Sequence, residues 1–405
     1  MNSNNSMCNV EPAQYREQGM QKYFRLFAWA LVLDVVLTPL GATLGHMHVG
    51  VIFFSAFKIP FILTFLIAIT FALKFGLKLN GISLMFLFMF PFFLIVGVSD
   101  NGVSGVSLSH LYGFIMPVVA ASFGQYYAQY SSFNSRYYLY ILMKRSFFIL
   151  FGIIVLYFVL YKLGIVKYFG MSTLTAYFVA FFLSVNKVVA AISAVVATLF
   201  TGKRTVLLGC LIILLVYLMF SKKVGRGGGS TIVKVMLLLL MLIVGYIAMK
   251  YELLNRFKHV FELDINDARS LFLATGGRSL EIIALVEHVA KNSLWFSGGG
   301  IGETYLVPRN LSDSGEFMRM HYSHMSPLYL VLVYGLPFAI ALYSYLFYLL
   351  VKGGRRLCRN FFFLVFVMLF ATSFAGSVLF VDVKFWIFTG AIIGMLRYRK
   401  DLNFF

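Results

Sequence analysis

Two arginines and two histidines are the residues whose types could do chemistry in an otherwise apolar chain. Arg204 follows a short turn, Arg278 follows a pair of glycines, and His321 and His324 come just before a long apolar run. Guanidinium groups stay charged when partly desolvated and hold a diphosphate with a fork of donors. An imidazole can take a proton from a sugar hydroxyl near neutral pH. This set predicts displacement of a lipid diphosphate from the anomeric carbon of one sugar by the hydroxyl of another.

Further polar residues in the same part of the chain are candidates for binding the substrate. Lys203 and Arg319 add positive charge, Tyr322 lies between the two histidines, and Gly300 belongs to the cluster 298–302. Arg319 is expected either to join the diphosphate site or only to line the loop. Glu281 falls one helical turn after the second arginine, and an ion pair on the protein surface is its expected role.

The spacing of His321 and His324 bears both on which histidine is the base and on whether a metal binds here. His324 is the expected base and His321 is the alternative. Histidines three positions apart on a helix can bind zinc, but no third ligand follows at metal-binding spacing. The sequence therefore predicts neither a metal nor a cofactor.

The composition decides what kind of protein positions these residues. Sixty per cent of the residues are hydrophobic, 12% are charged and the mean hydropathy is +0.87, whereas soluble domains carry about 25% charged residues. Apolar runs near the length of about 20 residues that crosses a bilayer as a helix recur along the chain. The net charge of +19 comes from basic residues at the ends of these runs, which indicates contact with membrane lipids rather than with nucleic acid.

The pattern predicts an all-α polytopic membrane protein with about twelve spans. They are 24–43, 59–75, 82–98, 108–127, 145–163, 172–186, 187–201, 205–220, 231–249, 326–350, 360–379 and 384–397. A turn at Asn186-Lys187 separates the sixth and seventh spans, because a lysine at mid-bilayer is costly; one long tilted helix over 172–201 is the alternative. Asp34, inside the first span, is expected to pair with a hydroxyl or basic group of a neighbouring helix, and a catalytic role is the alternative.

The division of the chain follows from these spans. A cytoplasmic tail, 1–23, precedes spans one to nine, 24–249. A large polar loop, 250–325, bears the candidate site, and 326–405 holds spans ten to twelve and the C-terminus. Lysines and arginines concentrate in alternate loops, which predicts that both termini are cytoplasmic and that the large loop lies on the opposite side.

Four segments in order resemble motifs of the O-antigen polymerase and O-antigen ligase superfamily. HMSPLYLVLVYGLP (His324 to Pro337) resembles the family's histidine motif, in which Gly-Leu-Pro follows the histidine by eleven positions. The other three are SLWFSGGGIGETY (Ser293 to Tyr305), GGRSLEI (Gly276 to Ile282) and LFTGKRTVLLG (Leu199 to Gly209). Met325 and Lys203 stand where the family has asparagine and serine, which favours a polymerase over a ligase.

The resemblance implies a GT-C-like fold and a metal-independent glycosyltransferase of the bacterial inner membrane, with its active site in the periplasm. Arg204 and Arg278 would bind the diphosphate of an undecaprenyl-linked glycan, and His324 would activate or orient the acceptor hydroxyl. Glycines 298–302 would let the loop backbone pass close to the site. A chain-length regulator protein is a candidate partner.

Two alternatives remain open at this point. One is an O-antigen ligase, which transfers the glycan to lipid A core by the same chemistry. The other, of a different class, is a flippase or transporter for the lipid-linked glycan, which predicts charges along a central cavity and pseudo-symmetric halves.

Overall fold

The computed structural model describes residues 10–46, 59–102, 104–163, 175–199, 204–220, 278–308, 317–374 and 382–398. These ranges contain thirteen helices and one two-stranded sheet. The helices are α1 Val10–His46, α2 Ile59–Phe75, α3 Gly81–Asn101, α4 Gly105–Tyr130, α5 Phe133–Lys162, α6 Thr175–Ser184, α7 Val188–Leu199, α8 Arg204–Phe220, α9 Arg278–Lys291, α10 Ser326–Tyr334, α11 Leu336–Leu357, α12 Phe361–Thr372 and α13 Val383–Tyr398. The strands are β1 Tyr305–Pro308 and β2 Phe317–Met320.

Four of these helices are long and apolar enough to cross a membrane. They are α3, α4, α11 and the part of α5 from Phe133 to Leu156, and shorter apolar helices pack among them. An all-α membrane protein is therefore confirmed, and the number of spans stays a prediction. The predicted span 231–249 and the loop segments 250–277 and 309–316 lie outside the described residues.

Close packing of α4 against α13 depends on small residues. A Cβ added to Gly124 would overlap the carbonyl oxygen of Ile387, and one added to Gly390 would overlap that of Ala121. Helices in lipid associate through such small residues, because close backbone approach replaces the hydrophobic driving force that lipid removes. This pair forms the centre of the described bundle, and α4 also carries a residue of the candidate site.

An ion pair joins the first and last described helices. The Lys384 ammonium on α13 contacts the Asp34 carboxylate on α1, and Asp382 lies 3.9 Å from the same ammonium. The basic partner predicted for Asp34 is thus confirmed. A charge inside a bundle is tolerated when it is paired in this way.

The predicted turn at Asn186-Lys187 is confirmed, and the single-helix alternative is wrong. α6 ends at Ser184, Asn186 has φ of 57°, and the Lys187 N–H donates to the Phe182 carbonyl (2.8 Å). Asparagine tolerates this left-handed conformation better than most side chains, so the chain reverses here and α7 packs back on α6.

The sequence predicts one helix over 326–350, and the structure divides it. α10 ends at Tyr334 and α11 begins at Leu336. Gly335 between them has φ of 81°, a conformation that ends a helix and favours glycine. Pro337, near the start of α11, is a second cause of the break between α10 and α11, because proline has no N–H to continue the helical hydrogen bonds.

Candidate functional site

A small module of α9 and a β-hairpin carries most of the polar candidates. β1 pairs antiparallel with β2, with Tyr305 opposite Met320, and α9 packs on β1. Leu285 and Val289 lie on one side of α9 and are buried. Such helical spacing of apolar residues gives one buried face and leaves the others for polar side chains.

The break between α10 and α11 leaves two carbonyls without their helical partners. In a continuous helix the carbonyls of Leu332 and Val333 would accept from residues 336 and 337. The N–H of Leu336 donates instead to the Trp295 carbonyl (2.7 Å), and Pro337 has no N–H. Buried backbone carbonyls without donors are costly, so these two need donors from another part of the chain.

The glycine turn, residues 295–302, supplies those donors. The N–H of Gly299 donates to the first carbonyl (2.8 Å) and that of Gly300 to the second (3.1 Å). Together with the bond from α11 to Trp295, three main-chain hydrogen bonds fix the turn to the helix break. The module of α9 and the β-hairpin is therefore attached to the membrane bundle by main-chain hydrogen bonds.

Helix α3 packs against the same turn. A Cβ on Gly97 would overlap the backbone nitrogen of Ile301, and a Cβ on Gly300 would lie 2.5 Å from the nitrogen of Gly97. Gly298, Gly300 and Gly302 have φ of 66°, 72° and 99°, which favours glycine at each position. These glycines therefore let the loop backbone approach α3 and α10 closely. The sequence predicts that Gly300 binds substrate, and in the structure Gly300 packs against α3.

His110 on α4 links the two ends of the hairpin, and sequence reasoning missed it. Its Nδ1 accepts from the Gly302 N–H (3.0 Å), and its Nε2 lies 2.8 Å from the His321 carbonyl. Since a carbonyl only accepts, Nε2 carries the proton and the ring is neutral. The ring is buried. A lone histidine inside an apolar run was the signal that could have identified it.

Glu281 and His324 form the central pair of the site. The His324 Nδ1 lies 2.7 Å from Glu281 Oε2, and the His324 backbone N–H donates to Oε1 (2.6 Å). The Glu281 side chain is 8% exposed and that of His324 is 42% exposed. The predicted role of Glu281 in a surface ion pair is wrong, because its side chain turns inward to the segment that precedes α10.

The hydrogen bonds of this pair determine the protonation of the histidine. An ionised carboxylate only accepts, so Nδ1 carries the proton and a neutral His324 has its lone pair at Nε2. Burial acts to raise the pKa of Glu281, but hydrogen bonds from the His324 ring, Ser323 and the His324 backbone outweigh it, so its pKa lies below its ordinary value. Glu281 thus stays ionised and orients the His324 ring through Nδ1, as the carboxylate does in a Ser-His-Asp triad.

Arg278 opens α9 one helical turn before Glu281. It is half-buried, and burial lowers the pKa of its guanidinium while the Glu281 carboxylate acts in the opposite direction. Arginine keeps its charge in such surroundings. One helix therefore presents a fixed cation and the carboxylate that orients the candidate base.

Tyrosines pack around the two histidines. The Tyr322 ring meets His321 and His324 edge-on, with ring centroids 5.1 Å and 5.5 Å away. The Tyr305 hydroxyl donates to the Tyr322 carbonyl (3.0 Å), and burial, with the nearby Glu281 carboxylate, raises the pKa of Tyr305. Of these two histidines, only His324 has a described carboxylate partner, which favours His324 over His321 as the base.

The remaining predicted residues lie apart from this pair or outside the described part. Arg204 begins α8, and the structure describes its backbone only; Lys203 lies outside the described residues. The meeting of Arg204 with Arg278 therefore stays a prediction. Arg319 is exposed on β2 and lines a groove against α9. His288 also lines this groove, and its Nε2 lies 2.8 Å from Glu303 Oε1. In the described ranges, no three His, Cys, Asp or Glu side chains cluster as metal ligands would.

Comparison with known proteins was made at the level of families, sequences and structures. The chain matches no protein-family model, no curated protein and no solved structure.

Proposed function

We propose that this chain is a glycosyltransferase of the O-antigen polymerase type, which joins undecaprenyl-diphosphate-linked oligosaccharide repeats at the periplasmic face of the inner membrane. The observation that carries the proposal is the Glu281–His324 pair, with Arg278 one turn away on the same helix. A held base beside a fixed cation suits a reaction that removes a proton from one group while a diphosphate leaves another. The apolar helices around the site provide the surface at which a lipid-linked donor arrives.

The reaction follows from the roles of these groups. The acceptor hydroxyl passes its proton to Nε2 of His324, and its oxygen forms the new bond to the anomeric carbon of the donor. The bond from that carbon to the diphosphate oxygen breaks, and the lipid diphosphate leaves with the electron pair. Glu281 stabilises the imidazolium that forms, as a carboxylate does in a triad.

Positive charge at the leaving group is the second requirement. Arg278, joined by Arg204 from the start of α8, would hold the two phosphates as negative charge develops on them. Preorganised charge of this kind is commonly the largest single contribution to catalysis. Guanidinium groups then supply the positive charge that a divalent cation supplies in other transferases. Twelve spans, with both termini in the cytoplasm, would place α9 on the periplasmic side.

The proposal is tested with Arg278→Ala and His324→Ala in a host that lacks its own copy of the gene. The control is Arg355→Ala, an exposed arginine in the last turn of α11, remote from the α10–α11 break. We expect each site variant to reach the membrane at wild-type level and to lose long polysaccharide chains, with rates lower by about 10²–10⁴-fold. A normal chain-length ladder from Arg278→Ala or His324→Ala would refute the proposal.

The phenotype of the deletion strain separates the three activities that share this substrate. A polymerase deletion leaves lipid A core with a single repeat, whereas a ligase deletion leaves bare core and long free chains. A flippase deletion traps repeats on the cytoplasmic face. We expect the single-repeat phenotype.

A further inference from the structure

A groove runs between α9 and the β-hairpin, next to the Glu281–His324 pair but not part of it. Its volume is about 440 Å³, within the range of about 300–1,000 Å³ that is usual for small-molecule sites. Glu287 and Lys291 line it from α9, and Phe317 and Arg319 line it from β2. It is open, so a chain-like ligand could extend beyond it.

The lining of the groove combines flat apolar surface with charged donors and acceptors. Phe317 is 61% exposed, and its ring gives a face on which a second ring can pack. Lys291 and Arg319 donate hydrogen bonds, and Glu287 accepts them. A pyranose ring needs this combination, because it has apolar C–H faces and hydroxyls around its edge that both donate and accept. A lipid tail would not use the charges, and an isolated phosphate would not use the exposed Phe317 ring.

The groove and the catalytic pair share one wall. Tyr305 lines the groove, while its hydroxyl donates to the carbonyl of Tyr322, which immediately precedes Ser323 and His324. The Glu281 carboxylate lies close enough to Tyr305 to raise its pKa. The groove therefore lies one side chain away from the groups that would act on a terminal hydroxyl.

We propose that this groove is a saccharide subsite, which holds the sugar units behind the attacking hydroxyl of the acceptor glycan. This proposal rests on the proposed glycosyltransferase function and assigns the acceptor to a specific surface. It also gives Arg319 a different role from the one predicted from sequence. Arg319 binds glycan hydroxyls across the hairpin rather than the departing diphosphate.

The first test separates binding of the acceptor from chemistry. Initial rates are measured with purified protein at fixed lipid-linked donor and varied acceptor oligosaccharide. Phe317→Ala and Arg319→Ala should each raise the KM for the acceptor about five- to tenfold and leave kcat within twofold. Phe296→Ala is the matched control, because Phe296 is 84% exposed and does not line the groove. A fall in kcat with unchanged acceptor KM for Arg319→Ala would overturn its assignment to the groove.

The second test does not need turnover. The probe is the lipid-free oligosaccharide released by mild acid from the lipid carriers of the parent strain, and its binding is followed by saturation-transfer NMR. Wild type, Phe296→Ala and His324→Ala should bind it, whereas Phe317→Ala and Arg319→Ala should bind at least fivefold more weakly. Thermal unfolding checks that the exposed substitutions leave the fold intact.

The outcomes distinguish the two proposals. Equal binding to Phe317→Ala, Arg319→Ala and wild type would overturn the groove even if His324→Ala abolishes polymerisation. Normal polymerisation by His324→Ala would remove the proposed catalytic function, while groove-dependent binding of the oligosaccharide would still support a saccharide site here.

Discussion

Replacing Glu281 with glutamine keeps the shape of the side chain and removes the charge that orients His324. Glu281 accepts from the His324 backbone N–H (2.6 Å) and from Nδ1 (2.7 Å). A glutamine amide has one oxygen, so it can accept only one of these bonds and presents an NH₂ to the other group. The backbone N–H cannot change its role, so the amide oxygen stays with it and the NH₂ faces Nδ1. The ring then adopts the tautomer with its proton on Nε2, and Nε2 can no longer act as a base.

The size of the effect follows from this change of tautomer. The corresponding Asp→Asn change in a Ser-His-Asp triad lowers kcat by about 10⁴-fold for the same reason. We expect Glu281→Gln to lower kcat by about 10³–10⁴-fold with little change in the acceptor KM. Losing a hydrogen bond to a charged group also costs about 1.5–3 kcal/mol of stability. Combining Glu281→Gln with His324→Ala should cost little more than His324→Ala alone, because the two residues act as a unit.

The stability difference between wild type and Glu281→Gln has a defined dependence on pH. The native pKa of Glu281 lies below its ordinary value, so the folded state favours the ionised form. The ionised Glu281 carboxylate contributes fully to the free energy of unfolding above the ordinary glutamate pKa of about 4.3. This contribution disappears as pH falls through the native pKa. Thermal unfolding of the two proteins in detergent should therefore show a full difference in Tm at pH 7 that shrinks below about pH 4.

The control for Glu281→Gln neutralises a carboxylate outside the site. Asp100→Asn removes an exposed carboxylate near the end of α3 and should retain wild-type rates. Orientation of His324 by the carboxylate would be unnecessary if Glu281→Gln kept kcat within about threefold of wild type while His324→Ala was inactive.

Two further predictions concern packing and a buried amine. Gly97→Ala should lower Tm in thermal unfolding, at a cost of about 1–3 kcal/mol for an overpacked contact, whereas Gly105→Ala should not, since a Cβ on Gly105 meets nothing within 4 Å. Burial lowers the pKa of Lys78 to about 8, with Arg397 adding to the shift, so the folded state disfavours its charge. Wild type should therefore gain stability relative to Lys78→Met as pH rises from 8 towards 10.5, by less than about 2 kcal/mol after solvent screening. A stability difference between wild type and Lys78→Met that does not change with pH would contradict this effect of burial.

Local patterns in the sequence were sufficient for the features that depend on local physics. Apolar runs predicted the membrane helices, because the length of a span is set by the bilayer. The cost of Lys187 inside lipid predicted the turn that Asn186 makes. The same cost predicted that Asp34 has a partner, and Lys384 is that partner. Each inference needed only a short segment and the properties of its surroundings.

The pairings of the site depend on contacts between distant segments, and spacing could not supply them. Glu281 and His324 are separated by 43 positions, and the i, i+3 relation of Glu281 to Arg278 gave no sign of His324. His110 lies 192 positions from Gly302 and carried no motif. Helical spacing describes neighbours on one helix, whereas these pairs form only after α4 and α9 have packed around the hairpin.

The division of α10 from α11 is what places the Glu281–His324 pair beside the membrane bundle. α10 is held at its start by the Ser326 N–H, which donates to the Ser373 carbonyl (3.1 Å), and at its end by the glycine turn. His324 lies two residues before this helix, so its backbone position is set by main-chain hydrogen bonds at both ends of α10. A continuous helix would satisfy its own carbonyls and leave the glycine turn without acceptors. The same Gly335 that interrupts the helix therefore fixes α9 and the β-hairpin, and with them the Glu281–His324 pair, on the helical bundle.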